Sequence, residues 1–374
     1  MIGEIIKELK SKFSISTFLL RVVLVLLIGF LFLTSLELLG ISFQFENKIV
    51  QELTKASENP FVAIFIGLLA TAIMQSSSTV TSLVVTIVAS GMLSIHQAIP
   101  IVMGANIGTT VTSTFVSLGH ITQKKEFRKA ISAATLHDFF NIITVMILFP
   151  LEYFTGWLSS LSLSITNLIP SEAATTPKKP FWVIQMVKSV EGTIAELFGN
   201  HSIFIFFIAL IGLFVSIKAF ASLIKRVLIK DTQETTEFLF FSSNNKSLAT
   251  GFVLTSLVQS SSLTSSMIVP LVATNKISLS KAFPYLMGAN IGTTVTALIA
   301  AVSTSNAAIS LAIAHLLFNV IGVILLYPLP QIRRIPIFLA KKLGNLTVQN
   351  RLYGFLYLIL IFFIIPFILI SVTN

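Results

Sequence analysis

This sequence predicts an all-α polytopic membrane protein of two inverted-topology repeats, with broken helices or re-entrant hairpins carrying QSSS motifs. Three observations predict that fold. First, 54% of the 374 residues are apolar and 11% are charged, with a mean hydropathy of +0.91; a soluble domain carries about 25% charged residues. Second, Gln75-Ser76-Ser77-Ser78 recurs as Gln259-Ser260-Ser261-Ser262, and Gly104 to Thr112 (GANIGTTVT) recurs letter for letter at Gly288 to Thr296. Both blocks keep an offset of 184 residues (75 to 259, 104 to 288), and 21 of 38 aligned positions are identical, including Pro100 with Pro284. Third, the Lys and Arg clusters fall between apolar spans as the positive-inside bias of cytoplasmic loops requires. They send the spans holding His137 and His315 across in opposite directions.

The elements follow in order. Residues 1–12 form a polar lead-in with Lys7, Lys10 and Lys12 and no cleavable-signal pattern. Thr17 to Phe43 is long enough to cross, at about 20 residues per span. Lys48 to Pro60 reads as an interfacial helix. Phe61 to Met74 is apolar but half-length, meets QSSS, and resumes as another short piece from Thr79 to Leu93. Pro100 to Leu118 reads as an interrupted segment, broken by Gly104 and Gly108. Basic residues 124–129 precede a full span, Ala130 to Tyr153, that contains His137-Asp138-Phe139-Phe140-Asn141. The longest polar connection, 155–200, leads to a span from Ser202 to Leu228 and a polar linker, 231–246. The second copy repeats the order and continues into Asn306 to Leu329, with His315 and Asn319, then a basic loop and a last span, Tyr353 to Val372.

The segments are therefore 1–58, the lead-in with first span and interfacial helix; 59–154, the first repeat; 155–200, an outer loop; 201–247, a connecting span and linker; 248–330, the second repeat; and 331–374, a basic loop and terminal span. The N-terminus, 124–129, 225–230 and 333–351 are expected in the cytoplasm, with 155–200 and the C-terminus outside.

Duplicated, Gly-interrupted polar blocks in a membrane chain point to a transporter whose halves meet at a substrate site. Backbone polar groups freed at membrane depth must be buried in protein or line a wet cavity. A broken segment offers N-termini that attract anions and C-terminal carbonyls that attract cations. Ser76, Ser77, Ser78 and Thr79 add hydroxyls that donate and accept, as do Ser260, Ser261, Ser262 and, after Leu263, Thr264. Such a site can hold an oxyanion and small cations without a buried protein charge. In the second block, Gly104, Gly108, Gly288 and Gly292 let the backbone bend and approach closely; Asn106 and Asn290 tolerate left-handed geometry and offer carbonyls, and Thr109, Thr110, Thr293 and Thr294 offer hydroxyls. These are oxygens of the kind hard cations prefer. Small residues and hydroxyls also serve helix packing; two motifs repeated at one offset, each at a segment break, favour binding.

His137 and Asn141 have counterparts in His315 and Asn319 at an offset of 178 (137 to 315, 141 to 319). The Asn pair is the better ligand choice, and the His pair reads equally as packing. Asp138, the one carboxylate deep in its span, is either functional or a hydrogen-bond partner for a neighbouring break. No cysteine is present, which excludes thiolate metal sites and Cys nucleophiles. No Asp or Glu follows Glu237, so a cation site in the second half must use neutral oxygens. Net charge of +10 comes with no contiguous basic face, which argues against nucleic acid. Neither a nucleophile elbow nor a phosphate-binding Gly-Lys-Ser/Thr loop is present, so the chain reads as no enzyme.

The doubled QSSS and GANIGTT blocks, with EFRKA…HDFFN at Glu126 to Asn141, resemble the type II sodium-phosphate cotransporter family over residues 60–155 and 245–330. The resemblance implies inverted repeats, sodium-driven phosphate uptake and no cofactor, with Na+ as coupling ion. Carried over, Gln75 to Thr79 and Gln259 to Ser262 form the phosphate and sodium site, and Asn141 lines a sodium site. Animal members carry Gln-Ala-Gly-Asp-Arg where this chain has His120 to Lys124. The Asp, tied to an additional sodium, is Gln123 here; the Arg, tied to phosphate, is Lys124, which keeps the charge and loses the two-pronged fork. Two sodium ions and near-electroneutral transport are the expectation. The partners implied are phosphate, sodium and the lipid bilayer of the inner (plasma) membrane, with a homodimer as an open assembly. A carrier of another anion (dicarboxylate or sulfate), a phosphate exporter, and a channel or membrane scaffold are the alternatives.

Overall fold

The computed structural model describes residues 15–44, 48–169, 189, 193, 202–228, 241, 243–302 and 304–373. The lead-in, most of the 155–200 loop and most of the 231–246 linker lie outside the described residues. Every regular element among those described is helical. Among the described residues, five helical stretches are long and apolar enough to cross a membrane: Ile95–Leu118, Lys124–Thr155, Leu279–Ala301, Asn306–Leu326 and Leu352–Val372.

Helix α1 (Ile15–Gln44) pairs along its length with α9 (Ser202–Leu228). The short α2 (Lys48–Ala56) leads to α3 (Pro60–Met74). Asn59 starts α3 by accepting from the Phe61 amide at 3.0 Å, with Pro60 at the first helical position, where a missing N–H costs nothing. After Gln75 and Ser76 the chain re-enters helix as α4 (Ser77–Ala89). Then come α5 (Ile95–Gly108), opened by a reciprocal Ser94–Gln97 capping box, α6 (Val111–Leu118), α7 (Lys124–Thr155) and α8 (Trp157–Leu168).

The second copy follows the same plan: α10 (Asn244–Val258), α11 (Ser261–Ser266) with α12 (Ile268–Ala273), α13 (Leu279–Ala301), α14 (Asn306–Leu326) and α15 (Pro330–Gln349). The last span is α16 (Leu352–Ile359), one π-helical turn (Leu360–Ile364) and α17 (Ile365–Thr373).

Of the two roles expected of the nonapeptide glycines, bending and close approach, the structure shows the second. Gly104 and Gly108 lie within or at the end of α5, and Gly288 and Gly292 lie inside the unbroken α13. The only interruption is at Thr109 and Thr110, between α5 and α6, and only in the first copy. What these glycines provide is close approach. A methyl group on Gly104 would collide with the Ile64 carbonyl of α3, and one on Gly67 of α3 would collide with the Ile101 carbonyl of α5. The same reciprocal pair joins α10 and α13 through Gly251 against Tyr285 and Gly288 against Leu248. Each copy thus has a helix pair with backbones in contact, the arrangement small residues permit in membranes.

Packing between copies is exchanged. Helix α4 rests on α13 and α14, while α12 rests on α7; α7 packs along α15, and α14 along α8. Each hairpin's second arm is therefore covered by the other repeat.

Candidate functional site

The site begins at two strained corners. Gln75 and Gln259 close α3 and α10 in the left-handed region, at φ 52° and 51°. That region costs an L-residue roughly 1–2 kcal/mol. Asn106 and Asn290, which could tolerate that geometry, sit in helices, and the glutamines adopt it. Beyond each corner a serine caps the next helix: Ser76 Oγ accepts from the Thr79 amide, and Ser260 Oγ from the Leu263 amide, both at 3.3 Å. Helix, left-handed residue, serine cap and helix give the two QSSS motifs one backbone path.

The two tips then meet. Ser78 Oγ donates to the Gln259 carbonyl at 3.3 Å, and Ser262 Oγ donates to the Gln75 carbonyl at 3.4 Å. Ser262 also reaches the Thr109 carbonyl at 3.4 Å, so the break between α5 and α6 joins the same cluster. Deeper in, the Ser113 and Ser265 hydroxyls share a hydrogen bond at 3.1 Å. Ser77, Ser78, Thr79, Ser261 and Ser262 are buried, and Ser77 Oγ has no hydrogen-bond partner among the described residues. The Gln75 side chain is exposed and that of Gln259 half-buried; their carbonyls, more than their amides, build the tip. Helix α4 aims its free N–H groups at this point while α3 and α10 end there in free carbonyls.

Beside the tips lies a belt of amides and imidazoles, all buried. His137 and Asn141 are one turn apart on α7, and His315 and Asn319 one turn apart on α14. Each pair reaches the nonapeptide asparagine of the other copy. His137 Nε2 donates to Asn290 Oδ1 at 2.6 Å, and Asn290 Nδ2 donates to Asn141 Oδ1 at 2.5 Å. In turn His315 Nε2 donates to Asn106 Oδ1 at 3.3 Å, with Asn319 Nδ2 also approaching at 3.5 Å. Asn141 closes the belt by donating to the Asn106 carbonyl at 2.7 Å. The belt keeps spare acceptors: Asn319 Oδ1, Asp138 Oδ1 and both imidazole Nδ1 atoms have no partner among the described residues. Lone pairs buried without donors suit a small cation; hydroxyls such as Ser77 suit an oxyanion.

Not every expected residue joins. Thr110 and Thr294 donate back to the preceding turn, at Ile107 and Ile291, although Thr110 also lies beside Asp138. Gln123 and Lys124 are exposed at the start of α7, with Lys124 ~26 Å along the helix from Asn141.

Sequence reasoning missed two partners. Tyr357 of α16 donates to Asp138 Oδ2 at 2.8 Å, a contact across 219 residues that no local pattern announces. Glu152 is a second buried carboxylate in α7; it accepts from the Leu158 and Ser159 amides at 2.8 and 3.1 Å. It thereby satisfies the start of α8 beyond the left-handed Gly156. The Glu followed six and seven residues on by a new helix start was the readable signal.

A helical membrane chain whose two broken helices meet tip to tip, among buried hydroxyls and amides, falls in the class of membrane transporters. The chain belongs to the Na+/Pi-cotransporter family, whose model matches residues 30–164 and 210–339. It is 32% identical to mouse (Mus musculus) sodium-dependent phosphate transport protein 2A over 96% of this chain and 69% of that protein. Its identity to the sheep (Ovis aries) 2A protein is 33%, over 93% of this chain and 67% of that one. The human (Homo sapiens) 2B protein is 32% identical over 92% of this chain and 64% of its own length. No solved structure is a significant match.

Proposed function

We propose that this chain is a secondary active transporter that couples inward sodium movement to phosphate uptake in the inner (plasma) membrane. Two inverted repeats alternate in access around the paired QSSS tips. The observation that carries this reading is the reciprocal contact of Ser78 with the Gln259 carbonyl and Ser262 with the Gln75 carbonyl. Relatives named as sodium-dependent phosphate transport proteins support both the substrate and the coupling ion.

Roles follow from donor and acceptor counts. Phosphate takes the hydroxyls of Ser76, Ser77, Ser78 and Thr79 with Ser260, Ser261 and Ser262, and the N–H groups opening α4. Sodium takes oxygens: the Gln75 and Gln259 carbonyls and the amide belt of Asn106, Asn141, Asn290 and Asn319. Lys124, at the mouth of α7, draws phosphate in by charge.

Energetics set the ion count. A phosphate dianion entering a cell 100 mV negative inside costs about 4.6 kcal/mol, at roughly 2.3 per charge. Two sodium ions cancel that charge and leave about 1.4 kcal/mol each per tenfold gradient to concentrate phosphate. Gln123 brings no negative charge for a third ion, which favours two.

Labelled phosphate uptake into liposomes holding the purified chain tests the reading, with sodium or potassium gradients imposed. Uptake that needs inward sodium, and is lost in a Ser77→Leu/Ser261→Leu double variant, is the expected result. Sodium-independent flux, or stronger competition by sulfate or a dicarboxylate than by phosphate, would overturn it.

A further inference from the structure

At one end of α7, away from the hairpin tips, three cations converge without a carboxylate. Arg128, Lys129 and Lys341 line a cavity of about 400 Å³ together with Ser132, Asn275 and Ser278. That lies within the range of about 300–1,000 Å³ typical of small-molecule sites. Among the described residues none of the three cations is in an ion pair; the pairs described are His96 with Glu152 and His120 with Glu126. The elements come from both halves: α7, the turn between α12 and α13, and α15.

The corner is built, and its counterpart in the first repeat is different. Asn275 holds a left-handed conformation, φ 63°, and accepts from Lys129 Nζ at 2.5 Å, which fixes the ammonium at the rim. At the offset of 184 its counterpart is Gly91, also left-handed at φ 79°. Glycine is the cheaper residue there, so the asparagine supplies a side chain at some conformational cost. At the offset of 178, Arg128 and Lys129 correspond to Asn306 and Ala307, and Ser132 to Ser310. Ser310 spends its hydroxyl on Thr166 at 2.8 Å. The same fold corner occurs twice, and only one carries charge.

We propose that this corner is a second anion site, distinct from the transport site, that binds a phosphate group at the cytoplasmic face. Like charges gathered around a cavity repel, and a phosphate relieves that while accepting charge-assisted hydrogen bonds from Arg128, Lys129 and Lys341. Basic pockets between helices on the cytoplasmic side are how membrane proteins hold phosphorylated headgroups, and free phosphate offers the same chemistry. Arg128 lies ~20 Å along α7 from Asn141, so one phosphate group cannot occupy both sites. The occupant would tie α7 of one repeat to the α12–α13 turn of the other.

The full chain in detergent and sodium-free buffer is the material for the test. One arm measures equilibrium binding of labelled inorganic phosphate. The other counts adducts of phosphatidic acid against phosphatidylcholine by native mass spectrometry. Arg128→Gln/Lys341→Gln should weaken binding about tenfold per cation removed. Asn275→Gly, which keeps the backbone geometry, should weaken it about threefold. Arg334→Gln/Lys342→Gln removes equal charge from elsewhere on α15, the helix that stands where a basic loop was expected, and should change little. Loss in the phosphate arm alone assigns the site to free phosphate; loss in the lipid arm alone assigns it to a headgroup. Binding by neither probe, or equal weakening in the pocket and control variants, overturns the proposal. Sodium-dependent uptake by the pocket variants, measured in parallel, reports separately on the transport reading.

Discussion

His137 and Asn290 sit 153 residues apart in sequence and 2.6 Å apart in space, joined by one hydrogen bond between an imidazole of the first repeat and an amide of the second. Their counterparts, His315 and Asn106, make the reverse connection at 3.3 Å. The belt is thus woven from both halves. Leaving one partner of a buried hydrogen bond unpaired costs about 1–3 kcal/mol. His137→Ala and Asn290→Ala should each destabilise by that amount in denaturation of the detergent-solubilised chain. Because they share one bond, the double variant should cost less than the sum, with a coupling of about 0.5–3 kcal/mol; strict additivity would show that the bond carries no energy.

The close helix pairs make a steric prediction. Gly104→Ala and Gly288→Ala push a methyl group into a neighbouring backbone carbonyl, and backbone has no rotamer with which to yield. Each should cost about 1–3 kcal/mol, read as a lowered melting temperature. Gly29→Ala in α1 meets nothing within 4 Å and should be neutral or slightly stabilising. Equal tolerance of all three would refute the close-approach role.

Gln75 allows backbone and side-chain contributions to be separated. Gln75→Gly keeps the left-handed corner and should hold or raise stability by up to about 1 kcal/mol, whereas Gln75→Val should lower it. If phosphate uptake survives in Gln75→Gly, the carbonyl is the working group; if uptake fails with stability intact, the exposed amide takes part.

The charge balance can be read directly. With two sodium ions per phosphate dianion, clamping liposomes at different potentials should leave the initial uptake rate unchanged within error. A clear inward current when phosphate is added would instead require a third cation.

Much of this was legible before any coordinates. The duplicated QSSS motifs announce two equivalent corners, whereas the identical nonapeptides take different paths, broken at Thr109 and Thr110 in one copy and helical throughout in the other, because their neighbours differ. The half-length apolar pieces announce the breaks at Gln75 and Gln259, which lie where expected. Glycine permits both bending and close packing, and only the neighbouring helix decides between them: Gly104 and Gly108 deliver the close packing and not the expected breaks. Partner choice was likewise hidden: nothing local to His137 says that it faces Asn290 and not Asn106. Tyr357 was invisible as a partner of Asp138 because the terminal span is apolar throughout and matches neither repeat.

The exchanged belt also has a consequence for how the chain is made. Ribosomes add about 5–20 residues per second, so roughly 8–30 s separate synthesis of His137 from that of Asn290. During that interval the first half stands in the insertion machinery with an imidazole and an amide that have not met their partners. Quality control that recognises exposed polar groups in lipid has a window in which to act. Truncated chains ending before α13 should therefore be degraded quickly, and should be rescued when the missing half is supplied as a separate polypeptide.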